Sequence, residues 1–206
     1  MNTNKILQAD LEAYSLDETK IADVIVDSDM SYEEAVLNGL PKGCPEEILS
    51  KQVILEVYYL SFDGKIHKGQ IVVDERVAKE VQEVFTVAFE TKFQITSVIP
   101  ISKFGWDDDK SMDVDNTSAF NYRTIANTDI LSRHSRGWAV DINPRLNPHY
   151  RKDGEIVPPG GIYEAGKPGV LVEGDAIVKT FKKYGWGWGG NWIGEKDWQH
   201  FEKEEV

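Results

Sequence analysis

Apolar and polar positions are unevenly spread along this chain. The first fifty residues are polar, broken by small apolar clusters that read as short helices laid on a larger body. Ser31 and Glu34 form a capping-box pattern ahead of Ala35-Val36-Leu37, with Gly39 as a stop, and Pro45-Glu46-Glu47 suits a second helix start. From Val53 to Leu60 the chain turns β-branched and aromatic, the composition of a pleated, partly buried strand. Asp63-Gly64 signals a hairpin turn, and Ile66 to Val73 supplies the returning strand. Asp74 is placed to cap a helix that presents Val77, Val81, Val84, Phe85, Ala88 and Phe89 at three- and four-residue spacing.

Beyond that helix the pattern weakens. Gln94 to Ile101 resumes a β pattern, which Pro100 limits to an edge or an end. Ser102 to Ser118 reads as loop. Its Asp107-Asp108-Asp109 run lacks the alternating oxygen ligands, central glycine and distal glutamate of a calcium loop, so a solvated acidic loop is expected. Ala119 to Arg123 returns to an extended pattern. After Asn143-Pro144 comes a long irregular segment with Pro148, Pro158, Pro159 and Pro168, of the kind that frames a cleft. Asp175 then caps a short helix through Lys183, and a Trp-Gly run leads to Asp197-Trp198-Gln199-His200-Phe201-Glu202. The elements together predict an α+β fold, a small antiparallel sheet with flanking helices. Residues 1–52 are expected to be a helical N-terminal extension, not an independent domain, and 53–206 the main domain.

Composition narrows the function classes. A chain of 206 residues with 41% hydrophobic and 11% aromatic content is globular and long enough for one cored domain. A net charge of -12 argues against a nucleic-acid partner, whose phosphates call for clustered Lys and Arg. The one cysteine, Cys44, rules out an intramolecular disulfide and a Cys-rich zinc site, and is expected to be inert. No apolar run approaches the roughly 20 residues of a membrane span, and Met1 to Ala9 lacks the pattern of a signal peptide. A monomer is expected.

The chemistry-bearing residues gather in the second half. His134 and Asp141 lie seven positions apart, with Gly137 between them, and His200 follows near the C-terminus. A catalytic zinc site takes three nitrogen or carboxylate ligands and keeps a fourth position for water, and His134, Asp141 and His200 would be such a set. Seven-residue spacing puts side chains on opposite faces of an unbroken strand, so sharing a metal requires a bend, which Arg136-Gly137 provides. Past the bend, Trp138, Val140 and Ile142 would face the core, with Ala139 and Asp141 on the other side. Asp197 and His200, three apart, would meet on a helical turn or across a loop-to-strand kink; the surrounding glycines favour the kink. Asp197 would then sit beside the metal as a general base. Taken alone, the His134–Asp141 spacing is better explained by chance, the tryptophans read as packing anchors and Arg123 as a surface ion pair; these readings weaken when the whole set is considered together. His67, on the return strand with no partner at ligand spacing, reads as a cross-strand or surface residue.

Taken together these residues resemble a known family. Ser132-x-His134-x-x-Gly137-x-Ala139-x-Asp141 followed by Asp197-x-x-His200 is similar to the signature of the zinc D,D-peptidases of the M15 group, which cleave peptidoglycan peptides. The likeness runs from about Asp63 to Phe201, through Phe62-Asp63-Gly64, Thr117 to Arg123, Asn143-Pro144 and the Trp-Gly run, and leaves the first fifty residues uncovered. It implies one Zn2+ per chain on His134, Asp141 and His200, with Asp197 as base and Arg123 holding the scissile carbonyl. Ser132 would support the site or contact substrate. Many relatives carry glutamate at the position of Asp197, so this chain resembles the L-alanyl-D-glutamate endopeptidase branch more closely. The implied fold is the α+β domain shared with hedgehog signalling domains. The implied function is hydrolysis of D-residue-containing bonds, by a D,D-carboxypeptidase or an endopeptidase, in a peptidoglycan stem peptide or muropeptide. Such a substrate lies in the cell envelope or outside it. A non-catalytic zinc module of the same fold and a metal-free hydrolase of the glycan strand are the alternatives.

Overall fold

The computed structural model describes residues 5–9, 11, 12, 14, 16, 23–126 and 128–206. Its centre is a long hairpin. Strands β3 (Gln52–Leu60) and β4 (Ile66–Asp74) pair antiparallel from Gln52↔Asp74 to Leu60↔Ile66. The turn closes as the dipeptide requires, with Gly64 at φ 78° and the Lys65 N–H donating to the Asp63 carboxylate at 2.9 Å.

The N-terminal residues add strands to this hairpin, which their polar composition hid. Strand β1 (Ile6–Leu7) joins β3 in parallel and β2 (Ile25–Val26) joins β4 in parallel, giving a four-stranded mixed sheet ordered β1-β3-β4-β2. The helical expectation therefore holds only for the stretch after Ser31, and part of the N-terminal extension lies outside the described residues. There the Ser31–Glu34 capping box forms in both directions, at 2.8 and 3.3 Å, on a single turn over Glu33–Leu37 wound as a π-helix. A four-residue helix α1 (Glu46–Leu49) follows Pro45. Ala35, Val36 and Ile48 pack on Ile54 and Val72, the opposite side of the hairpin from the main core. Both faces of β3 are thus buried, which is why it reads as one apolar run.

Helix α2 (Ala78–Glu90) buries Ala78, Val81, Val84, Phe85 and Ala88 against Val53, Leu55, Val57 and Tyr59 of β3, as its spacing predicts. Asp74 does not cap it. The helix starts after Val77 without a side-chain cap, and the Asp74 carboxylate instead accepts from the Arg76 guanidinium at 2.6 Å and the Trp138 indole at 3.1 Å. The charged partner two residues on outcompetes the helix N–H groups.

The expected strand near Pro100 shrinks to β5 (Ser97–Val98), paired in parallel with β6 (Asn116–Thr117). The segment between them is not a loop. It holds a 3-10 turn (Ile101–Phe104) and helix α3 (Asp108–Asp113), and Asp107 caps α3 by accepting from the Lys110 N–H at 3.2 Å. The acidic run is therefore a helix start, with acids at the positive dipole end. In the second half lie β7 (Ala139–Asp141), β8 (His149–Tyr150), β9 (Ile156–Val157), α4 (Ala176–Lys183), β10 (Gly187–Trp188), β11 (Lys196–Asp197) and β12 (His200–Glu202). They form two antiparallel three-stranded sheets, β10-β12-β7 and β11-β8-β9. The class is α+β, but the strands of the described residues divide among four sheets where one antiparallel sheet was expected. Val140, Ile142, Phe181, Trp186, Trp188 and Phe201 join α2 and β3 in one core, so the site-bearing strands stand on the hairpin's packed face.

Candidate metal centre

Each candidate ligand position has a local cause. His134 sits in a 3-10 turn (Arg133–Arg136), not on a strand. The Ser132 hydroxyl caps that turn by accepting from the His134 N–H at 3.3 Å, so Ser132 acts here through the backbone of the ligand turn while also lining the cavity. Gly137 ends the turn at φ 69° and lets the chain enter β7. A Cβ there would lie 2.5 Å from Gln52 Oε1 and 2.6 Å from the Asp74 nitrogen. Gly137→Ala is expected to cost about 2–4 kcal/mol, from left-handed strain plus overpacking, read as a lowered midpoint in thermal unfolding. Past the bend, Val140 and Ile142 enter the core as expected, but Trp138 does not. It is half-buried, its ring met by the guanidinium groups of Arg76 and Arg136 at 5.2 and 5.3 Å.

Pairing of β7 with β12 sets His200 directly opposite Asp141. The kink expected between Asp197 and His200 is a change of sheet: Asp197 ends β11, and His200 begins β12. His134, Asp141 and His200 converge as buried side chains. His134 Nε2 lies 3.1 Å from Asp141 Oδ2, His200 Nδ1 lies 2.8 Å from Asp141 Oδ1, and the two imidazole nitrogens are 3.3 Å apart. The two histidines meet different oxygens of Asp141, and one ligand atom from each of the three residues lies within 4.8 Å of the others, close enough for a single ion to be shared.

The surroundings orient these atoms. His134 Nδ1 donates to the Ala119 carbonyl at 2.6 Å, which directs its Nε2 lone pair at Asp141 and His200. His200 Nε2 faces the Glu202 carboxylate at 3.4 Å. Burial alone would raise the Asp141 pKa, yet the His134 and His200 imidazoles hold it well below the usual carboxylate range. Burial opposes charge on His200, but hydrogen bonding and attraction to Asp141, aided by Glu202, push it up to about 10. The buried carboxylate thus favours positive charge on its neighbours, which a divalent cation would supply in place of a proton. Zinc fits this His-Asp-His set better than calcium, which takes oxygen ligands. Removing the support in Glu202→Gln is expected to weaken zinc affinity about 10- to 100-fold without unfolding the protein, measured by competition with a chromogenic chelator.

Asp197 lies beside the triad, lining the same cavity of about 950 Å³. Burial raises its pKa to about 6; His200 and His149 oppose the rise, while Asp141 adds to it. Its Oδ1 is buried without a partner. The turn at Gly189 approaches so closely that a Cβ there would lie 2.3 Å from the Asp197 carbonyl oxygen, so Gly189 fixes where β11 runs. Arg123 reaches the same cavity, but its guanidinium Nη2 is 2.7 Å from Asp108 Oδ2 and its Nε is buried without a partner. Its backbone N–H donates to the Ser135 hydroxyl at 2.9 Å, which ties it to the His134 turn.

Sequence reading missed three neighbours. Glu202 had a usable signal, since it is two residues from His200 and so on the same strand face. Asp108 was hidden in the acidic run. His149 reaches Asp197 only through the β8–β11 pairing. His67 is a buried cross-strand residue, with Nδ1 2.8 Å from Asp27 and Nε2 3.3 Å from Asp63, away from this cavity.

Comparison with known proteins gives one family match. Residues 126–203 match the family described as D-alanyl-D-alanine carboxypeptidase, of the M15 peptidases. No curated protein and no solved structure among those compared matches the chain. The matched stretch holds His134, Asp141, Asp197 and His200; Arg123 lies just ahead of it. Over this stretch, which carries the buried His-Asp-His set, the chain is similar to the M15 peptidases.

Proposed function

We propose that the protein is a zinc-dependent peptidase that hydrolyses D-residue-containing peptide bonds of peptidoglycan, as a D-alanyl-D-alanine carboxypeptidase or an L-alanyl-D-glutamate endopeptidase. The observation that carries this reading is the convergence of His134, Asp141 and His200 with an unpartnered carboxylate oxygen of Asp197 in one cavity. The peptidase unit on this reading is residues 53–206, with described residues ahead of it pairing with and packing on its hairpin, and the fold is of the hedgehog/D,D-peptidase kind.

His134, Asp141 and His200 would hold one zinc per chain. Bound there, zinc supplies Lewis acidity toward water and toward an amide carbonyl. Asp197 Oδ1 takes the proton of the attacking water and later delivers it to the leaving amine, which balances the hydrolysis. Arg123 presents a fixed cation to the oxygen of the scissile carbonyl as negative charge develops there, and Asp108 steadies that cation. Ser132 holds the turn that carries His134.

The test is digestion of defined muropeptides with mass analysis, with and without a chelator. Loss of a terminal D-alanine assigns the carboxypeptidase, and scission after L-alanine the endopeptidase. One zinc per chain with every stem peptide left intact would instead establish a non-catalytic zinc module, and cleavage surviving chelation would overturn the metal mechanism.

A further inference from the structure

Asp197 is not held by its own element alone. In the β8–β11 pairing it stands directly opposite His149. His149 Nδ1 lies 3.5 Å from Asp197 Oδ2, while its Nε2 lies 3.2 Å from Glu195 Oε2. Glu195 is met in turn by the Lys152 ammonium at 3.6 Å, and the His149 ring stands edge-on to Trp192 with centroids 6.2 Å apart. A row Lys152–Glu195–His149–Asp197 therefore runs from the surface to the cavity, its outer end exposed and its inner end buried. Nothing in the family resemblance assigns a role to His149, Glu195 or Lys152.

We propose that His149 is the positioning residue of Asp197: by holding Oδ2 it turns Oδ1 toward the attacking water, with Glu195 fixing the imidazole from behind. This rests on the reading of Asp197 as general base. The physical need is plain. A carboxylate about the Cβ–Cγ bond is free to rotate unless one oxygen is bound, and a buried carboxylate without a donor is costly to ionise. His149 meets both needs at Oδ2 through a 3.5 Å ion-pair contact, alongside a hydrogen bond from the Gln199 side chain, and Oδ1 stays unpartnered. The imidazole's own orientation is set by Glu195 on one side and Trp192 on the other. No proton passes through His149 in this scheme; the proton taken by Oδ1 goes to the leaving amine. Leucine and asparagine both keep the backbone N–H and C=O that pair β8 with β11, so a positioning role and a merely structural one come apart in substitution.

Two variants and one spectrum test it. His149→Leu removes the donor, and His149→Asn replaces Nδ1 with an amide N–H at a similar place. With zinc-loaded protein and a stem peptide, His149→Leu is expected to lower kcat about 10- to 100-fold with KM nearly unchanged and zinc content still one per chain. His149→Asn is expected to recover most of that loss. Equal activity in His149→Leu and the unaltered protein, or equal loss in both variants, overturns the proposal. Independently of turnover, the imidazole ¹⁵N signal of His149 Nδ1 is expected to shift on Asp197→Asn but not on Glu202→Gln. A His149 signal indifferent to Asp197→Asn overturns the contact itself. An unaltered protein that cleaves no stem peptide would overturn the peptidase reading, while the spectrum still decides whether His149 holds Asp197.

Discussion

Asp141→Asn is expected to abolish zinc retention and peptide cleavage together while leaving a folded protein. The substitution keeps shape and hydrogen-bonding capacity but removes the only negative charge of the donor set, flanked by His134 and His200 at 3.1 and 2.8 Å. Two imidazoles and an amide offer a divalent ion no charge compensation, and the buried site no longer has water to do so. The cleanest readout is linkage. A ligand that binds only the folded state at 1,000 times its Kd adds about 4 kcal/mol, and a chain of this size gains about 2–4 °C per kcal/mol. Zinc should therefore raise the unfolding midpoint of the unaltered protein by about 8–16 °C and that of Asp141→Asn scarcely at all. An equal rise in both would place the metal elsewhere.

Asp197→Asn is expected to lower turnover about 10²- to 10⁴-fold with zinc still bound, the range for loss of a general base. It is also expected to stabilise the metal-free protein. Burial raises the Asp197 pKa from 3.8 to about 6, with Asp141 adding to the rise against His200 and His149. The folded state thus holds the proton more tightly than the unfolded chain, and stability contributed by the protonated form is lost as pH rises from 3.8 through about 6. At neutral pH an ionised Asp197 opposes folding by roughly 1–3 kcal/mol, and an asparagine does not. Denaturant unfolding of the metal-free variant at pH 5 and pH 7 checks the sign: the gain over the unaltered protein belongs at pH 7. In the same picture the activity rises with pH along a limb at or below about 6, because a cation on the triad favours the carboxylate further. A variant as active as the unaltered protein would remove Asp197 from the mechanism.

How much of this was legible depends on the range of the interaction concerned. The β3–β4 hairpin, helix α2 and the bend at Gly137 were readable because each is dictated by neighbours in sequence: a turn dipeptide, a helical spacing, a left-handed glycine. Asp74 is no cap because Arg76 and Trp138 take its carboxylate oxygens, and the indole is 64 positions away in sequence. Strands β1 and β2 have no signature in the sequence because two residues carry no periodicity; their partners on β3 and β4 define them. Asp107 to Asp109 looked like a solvated loop because helix α3 is too short to show a face, and its capping is visible only in the N–H that Asp107 receives.

At the site, the kinds of candidate ligand were a property of the sequence, since a chain with four histidines and a single cysteine can bind a transition metal only through imidazoles and carboxylates. So was the need for a bend between His134 and Asp141, because strand parity is local geometry. That His200 lies opposite Asp141, that Glu202 backs His200, that Asp108 meets Arg123 and that His149 meets Asp197 were decided only by tertiary pairing. The reason is physical: residue type and spacing constrain the backbone over a turn or a strand, whereas the register between strands is set by how the whole hydrophobic face of the hairpin packs.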